Sequence, residues 1–227
     1  MTICIIPARS GSARIKNKNI IDFYGKPIIA HVIEIAKRSK LFERVIVSTD
    51  SKRIARIALN YGAEVPFLRS KKLSNNFTPT LDVIIDSVKK ISTEKVYFHC
   101  CIYPTAILTS INDLKLAYKK IKKLNANYLI AITRYQNSPL RCLQKKNLNY
   151  IKYKYKKYLL SRSQDLKNYY YDTGSFYFYK TSCLLNKKKN SLTNKMTYIE
   201  IDNQRVADIN YYGDLQLARL KYSLIMK

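Results

Sequence analysis

Through residues 1–134, short apolar runs rich in β-branched residues alternate with longer amphipathic stretches, and this alternation constrains the fold more than any other feature. Ile3–Ile6 is a continuous apolar run of strand length. Pro27, a residue favoured in the first helical turn, precedes the helical pattern Ile28, Ile29, Val32, Ile33, Ile35, Ala36. Val45–Thr49 reads as a second strand. Asp50 or Ser51 can cap a helix carrying Ile54, Ala55, Ile57 and Ala58, and Gly62 can end it. Val65–Leu68 reads as a short strand. A helix with Leu81, Ile84, Ile85, Val88 and Ile91 follows, then a strand over Val96–Ile102. Asn112 or Asp113 starts a helix with Leu114, Ala117, Tyr118, Ile121 and Leu124, and Tyr128–Thr133 is again strand-like. Strands and helices in this order predict βαβ units and an α/β fold with a parallel sheet. The apolar character of the first strands predicts a sheet covered on both faces. Residues 136–175, rich in Tyr, Lys, Asn and Gln, break the pattern and suggest hairpins or a projecting arm. Gly174–Tyr179 and Met196–Ile201 return to strand character, and Asp214–Leu224 reads as a last helix.

A chain of 227 residues, 47% hydrophobic, can bury a full core without staples and is not disordered. No apolar stretch reaches the roughly 18 residues of a membrane span. The N-terminus lacks a basic leader region, so the chain is expected to be cytoplasmic and intact from Met1. Five cysteines, with no C-x-x-C pair, read as buried thiols rather than a zinc site or a disulfide framework. The net charge of +27 suggests a nucleic-acid binder, but the excess is evenly spread. There are 15 basic against 5 acidic residues in 1–76, 12 against 4 in 77–151 and 15 against 6 in 152–227. A binding stripe would be lopsided, so neither nucleic acid nor membrane is expected as a partner. An evenly positive field still attracts a small polyanion such as a nucleoside triphosphate.

The loop after the first strand, Pro7 to Asn19, carries that argument further. It places Arg9, Arg14, Lys16 and Lys18 among Ser10, Gly11, Ser12 and Ala13, at the end of a buried strand where open α/β sheets bind ligands. Small residues let backbone N–H groups approach phosphate oxygens, and the cations neutralise them. G-x-x-x-x-G-K-[ST] and G-x-G-x-x-G are both absent, and the same composition also suits an ordinary basic surface loop.

The run Ile6-Pro7-Ala8-Arg9-Ser10-Gly11-Ser12, with Lys18-Asn19-Ile20 and Gly25-Lys26-Pro27-Ile28-Ile29, resembles the signature of the CMP-sialic acid synthetases (acylneuraminate cytidylyltransferases). The resemblance extends along almost the whole chain through Val47-Ser48-Thr49-Asp50 and Tyr61–Arg69. Tyr103-Pro104-Thr105-Ala106, Arg162–Leu166 and Tyr171–Tyr177 look most like the pseudaminic acid cytidylyltransferase branch. It implies a Rossmann-like, glycosyltransferase-A-like nucleotidyltransferase fold with a mixed, mainly parallel sheet. One domain would span 1–227, with 136–175 as a dimerisation arm of a homodimer. The implied reaction is transfer of CMP from CTP to the anomeric hydroxyl of a nine-carbon 2-keto sugar acid, with pyrophosphate released. The hydroxyl would attack the α-phosphorus directly, so positioning and charge neutralisation supply most of the catalysis. Legionaminic, neuraminic and Kdo-type acids are the alternative substrates, and a non-catalytic nucleotide-binding homologue the alternative role.

The resemblance also implies residue roles. Arg9, Lys18 and Asp208 are the expected catalytic residues. Arg9, Ser10, Gly11, Ser12, Arg14, Lys18 and Asn19 would hold the nucleotide's phosphates, with Arg69 and Thr80 near its base and ribose. A solvated arginine and a helix cap are the plainer readings of those last two. Tyr103, Arg162, Gln164, Asp172, Gly174 and Tyr177 would meet the sugar acid, although the Tyr169–Tyr179 cluster also suits a core or interface strip. Mg²⁺ would be held by Asp208 and Asn210. The family has Asp-Ile-Asp where this chain has Asp208-Ile209-Asn210, so one carboxylate is an amide and weaker Mg²⁺ binding is expected. Glu200 and Asp202 form an alternative pair that also suits a solvent-facing strand edge, and Asp214 reads as a helix cap. Ala13 stands where relatives carry Lys, and Arg14 beside it could supply the charge. His31 and His99 read as structural.

Overall fold

The computed structural model describes residues 1–91, 96–186 and 191–225. The first strand, β1 (Thr2–Pro7), is followed by the site loop and a short hairpin of β2 (Asp22–Phe23) and β3 (Lys26–Pro27). Then come α1 (Ile28–Arg38), β4 (Arg44–Ser48), α2 (Lys52–Asn60), α3 (Thr80–Ile91), β5 (Phe98–Ile102), α4 (Ile111–Leu124) and β6 (Tyr128–Arg134). A small hairpin, β7 (Leu143–Lys145) and β8 (Ile151–Tyr153), precedes the long β9 (Tyr170–Lys180). A short α5 (Thr181–Leu184), β10 (Met196–Glu200) and α6 (Tyr212–Ile225) complete the order. The six-stranded sheet runs β10-β6-β9-β5-β1-β4. β4, β1 and β5 are parallel, as are β6 and β10, while β9 lies antiparallel between β5 and β6. The mixed, mainly parallel sheet implied by the resemblance is therefore present.

The apolar runs fill both faces, as their composition predicts. In β1, Cys4 and Ile6 point into a core with Ile29, Val32 and Ile33 of α1 and Leu114 and Ala117 of α4. Ile3 and Ile5 point the other way, against Ile84 and Val88 of α3. Each fully buried aliphatic side chain contributes about 1.5–3 kcal/mol, so both layers hold β1 and the loop it launches. Helix ends follow local chemistry. Ser51 accepts from the Ile54 N–H at the start of α2, and Gly62 follows that helix at φ +77°, a conformation glycine adopts without Cβ strain.

Three expectations are corrected. Val65–Leu68 forms no strand; parallel bridges occur only at Ile46–Glu64 and Thr49–Leu68, because Pro66 offers no N–H to continue a ladder. Helix α4 starts at Ile111 rather than at Asn112 or Asp113, with Ser110 as the cap and Asp113 bonding back to its N–H in a capping box. The arm is shorter than 136–175, because Tyr170–Ser175 belong to β9 in the main sheet. Of the cysteines, Cys4, Cys100 and Cys101 are buried, whereas Cys142 and Cys183 are only partly covered. His99 is fully buried in β5 with Nδ1 on the Thr181 hydroxyl at 2.9 Å, and burial pushes its pKa down to about 4, so it is neutral. His31 bonds the Phe23 carbonyl through Nε2 at 2.7 Å and packs against Tyr222.

Candidate active site

A cleft of about 460 Å³ opens at the carboxyl ends of β1 and β5. Its lining brings together Arg9, Ser12, Arg14, Lys18, Asn19, Arg69, Thr80, Tyr103 and Asn210, which are scattered over 200 positions of sequence. Ala13 also lines it. Pro104 and Thr105, of the motif that begins at Tyr103, complete parts of the wall together with Asn75, Asn76 and Thr78, which the sequence did not single out. Asn75 carried a weak signal, since its Oδ1 accepts from the N–H groups of Phe77 and Thr78 in a local turn typical of Asn.

The loop after β1 is pinned at several points, although it is built from small and charged residues. Ile15 is buried in the core. The Asn19 amide donates to the Arg9 carbonyl at 2.9 Å and straps the loop across its width. Ser10 is placed otherwise than expected. Its N–H and hydroxyl both donate to Asp50, at 2.8 and 2.7 Å, and neither Ser10 nor Gly11 lines the cleft. Lys18 Nζ donates to the Ile209 carbonyl at 2.7 Å. Burial lowers the Lys18 pKa from its usual value; Asp208 opposes that shift, and Arg14 and Arg9 add to it. Arg14 lies 5.4 Å over the Tyr211 ring.

The opposite wall contains a buried cation. Arg69 is 5% exposed, not the solvated arginine its plainer reading suggested. Its Nε donates to the Ser74 hydroxyl at 3.1 Å, while Nη2 is buried with no hydrogen-bond partner. Burial lowers its pKa, Asp50 pulls it up and Arg9 pushes it down. Arg69 lines the cleft, and its unpartnered guanidinium nitrogen calls for an acceptor that the protein does not supply. Arg9 crosses towards this wall and donates to the Asn75 carbonyl at 2.7 Å.

The late segment closes one end. Asn210 lines the cleft, and its amide donates to Asp208 Oδ2 at 2.7 Å. Asp208 is exposed and, like the rival acids, outside the cleft lining, but it is bonded by Asn210 and within electrostatic reach of Lys18. Asp214 is not the cap its plainer reading suggested: it lies in the first turn of α6 and takes the N–H groups of Asn210 and Tyr211 at 2.8 and 2.7 Å, so it organises the entry to the helix from inside it. Asp113 and Arg205, paired at 2.7 Å, tie the preceding turn to α4. The alternative acids are elsewhere. Glu200 ends β10, and Asp202 accepts from the Gln204 N–H; neither lines the cleft.

Among the expected sugar-contacting residues, Tyr103 lines the cleft and donates to the Thr80 hydroxyl at 3.0 Å. Tyr177 packs edge-on against Tyr103 and donates to Asp172 Oδ2 at 2.7 Å. Burial raises both tyrosine pKa values, so both phenols stay protonated donors at neutral pH. Gly174, at φ +63°, kinks β9 and donates its N–H to Asp172 Oδ1 at 2.8 Å, which turns that carboxylate towards Tyr177. Arg162 and Gln164 do not join this group: both are exposed on the arm, and Arg162 pairs with Asp165 at 2.8 Å.

A mainly parallel α/β sheet with a cation-lined cleft at its strand ends defines the class as an α/β protein with an anion-binding cleft. The family is shown by comparison. The chain matches the cytidylyltransferase family model over residues 3–224 and belongs to that family. It is 36% identical over 224 residues to the pseudaminic acid cytidylyltransferase of Campylobacter jejuni strain 81-176, covering 98% of this chain and 96% of that one. A Helicobacter pylori protein named for both pseudaminic acid cytidylyltransferase and a UDP-sugar hydrolase is 34% identical over 218 residues, covering 96% of this chain and 42% of that one. Among solved structures, CMP:2-keto-3-deoxy-manno-octonic acid synthetase complexed with CTP superposes with a TM-score of 0.74 at 17% identity, covering 99% of both chains. At that identity the likeness speaks for the fold.

Proposed function

We propose that the cleft binds CTP and transfers its CMP unit to the anomeric hydroxyl of a nine-carbon 2-keto sugar acid, with pseudaminic acid the favoured substrate. The observation that carries this reading is the convergence of Arg9, Arg14, Lys18 and the orphaned Arg69 on one cleft at the strand ends. Arg9, Arg14 and Lys18 suit three linked phosphates, Arg69 offers a donor beyond them, and the naming of the Campylobacter relative supports the choice of acid. In this reading Arg9, Ser12 and Lys18 grip the phosphates, with Arg14 and Asn19 beside them. Ser10 and Gly11 shape the loop. Arg69 and Thr80 face the base and ribose. Tyr103, backed by Tyr177, Asp172 and the Gly174 kink, receives the sugar acid.

Asp208 and Asn210 fit a Mg²⁺ that takes most of its ligands from phosphate and water. An exposed carboxylate and an adjacent amide sit beside phosphate-holding cations, and Mg²⁺ sites of this kind use only one or two carboxylates. Bound there, Mg²⁺ supplies charge neutralisation to the phosphates and the leaving pyrophosphate.

We further infer a cytoplasmic homodimer built from the whole chain. The arm exposes Leu148, Tyr150, Ile151 and Leu160, apolar surface suited to a second copy. Arg162 and Gln164 reach a sugar acid only if the arm of one copy approaches the cleft of the other. The test is pyrophosphate release by the purified protein with CTP, Mg²⁺ and a panel of pseudaminic, legionaminic, neuraminic and Kdo acids. Release requiring both CTP and pseudaminic acid is expected, and no release with any acid would remove the enzymatic reading.

A further inference from the structure

Asp50 lies outside the cleft lining, yet it bonds Ser10 of the loop after β1 and acts electrostatically on Arg69 of the opposite wall. Its Oδ1 accepts the Ser10 N–H at 2.8 Å and its Oδ2 accepts the Ser10 hydroxyl at 2.7 Å. A two-point contact fixes direction as well as distance, and charged acceptors make the stronger hydrogen bonds. The Asp50 backbone is itself held firmly. Ala8 N–H donates to the Ser48 carbonyl at 2.9 Å, Arg69 N–H to the Thr49 carbonyl at 2.8 Å, and Ser51, one residue on, caps α2. The carboxylate also acts electrostatically on Arg69, which Arg9 repels. It therefore offsets part of the repulsion between two cations that must stand close before a polyanion arrives.

We propose that Asp50 is a positioning residue for the phosphate-holding loop: by clamping the Ser10 N–H and hydroxyl to the end of β4, it sets where Arg9 and Ser12 meet the triphosphate. The proposal rests on the reading of the cleft as a CTP site. Asp50 touches no reacting atom and acts through Ser10. Without the clamp, the loop keeps its anchors at Ile15 and at the Arg9 carbonyl, which Asn19 holds, but loses the one at Ser10, between Arg9 and Ser12. A displacement of about 1 Å at a phosphate-holding group can cost on the order of a hundredfold in rate.

Calorimetric titration with CTP and with CMP, in Mg²⁺, tests this in the wild type, Asp50→Ala and Asp50→Asn. Asparagine keeps an acceptor for the Ser10 N–H and can donate to the Ser10 hydroxyl, so it preserves the geometry while removing the charge. Asp50→Ala should weaken CTP by about tenfold or more while CMP changes by less than about twofold, because the loop meets the outer phosphates. Asp50→Asn should restore most of the loss. Should Asp50→Ala fail to fold, Ser10→Ala, which cuts one arm of the clamp at an exposed side chain, should weaken CTP by about threefold with CMP again spared. A wild type that takes up no CTP overturns the CTP reading and this proposal with it. A wild type that binds CTP while Asp50→Ala, or Ser10→Ala in its place, binds equally well overturns the Asp50 role alone. An equal loss of CTP and CMP, or Asp50→Asn as impaired as Asp50→Ala, also overturns it.

Discussion

The loop after β1 and the segment 206–214 meet at one end of the cleft, joined by Lys18 Nζ on the Ile209 carbonyl, and they are built on opposite principles. The loop is held by distant partners: Asp50 for Ser10, the core for Ile15, Asn75 for Arg9. Among the described residues its cations form no salt bridge, although Asp208 lies within electrostatic reach of Lys18. The late segment is closed by its own neighbours, with Asn210 on Asp208 and Asp214 on the Asn210 backbone. The difference teaches that the proposed phosphate side is preorganised, whereas on the proposed metal side the Asn210 amide would have to turn away from Asp208 before an ion could use both residues.

The largest expected effect breaks the preorganised side. Arg9→Ala should lower kcat/KM for CTP by about 10²–10³-fold, the scale of losing one aligned charge-stabilising donor, with the melting temperature nearly unchanged. Steady-state kinetics checks it, and an unaltered kcat/KM would remove Arg9 from the site.

A smaller effect concerns Lys18. Burial lowers its pKa below the usual 10.5, so in the free protein it sheds its proton, and its positive charge, at a lower pH than an exposed lysine. CTP favours the charged form. Affinity should therefore be full below the lowered pKa and fall as pH rises through it, by up to about tenfold per pH unit. Lys18→Arg, which stays charged, should flatten that limb of the profile. A wild-type profile already flat to pH 10.5 would contradict the lowered value.

The third prediction sharpens the contrast from the metal side. Asn210→Asp replaces an internal hydrogen bond with a second negative charge and should lower the Mg²⁺ concentration for half-maximal rate by about fivefold, since charge count tunes such sites. Titration of Mg²⁺ against pyrophosphate release reads this, and an unchanged requirement would mean that position 210 does not face the ion.

The same contrast explains what was legible in the sequence. Features set by neighbours in the chain were visible: the apolar strands of β1 and β4, the Ser51 cap, the Gly62 stop and the cationic loop. The Ser10–Asp50 clamp spans 40 positions and leaves no local trace. Burial of Arg69 depends on the 70–76 turn folding over it, which composition does not encode. The start of α4 was misplaced because Asp113 resembles a cap when it is the reciprocal partner of Ser110. Arg162 and Gln164 were grouped with the sugar site by resemblance, and the arm holds them apart from the cleft lining of their own chain.

The central claim is that one cation-lined cleft takes the triphosphate at the ends of β1 and β5. A crystal soaked with CTP and Mg²⁺ tests it most directly. The account predicts phosphates against Arg9, Ser12 and Lys18, an acceptor on Arg69 Nη2, and a divalent ion at Asp208 and Asn210. A nucleotide bound anywhere else on the chain, with this cleft empty, would contradict it.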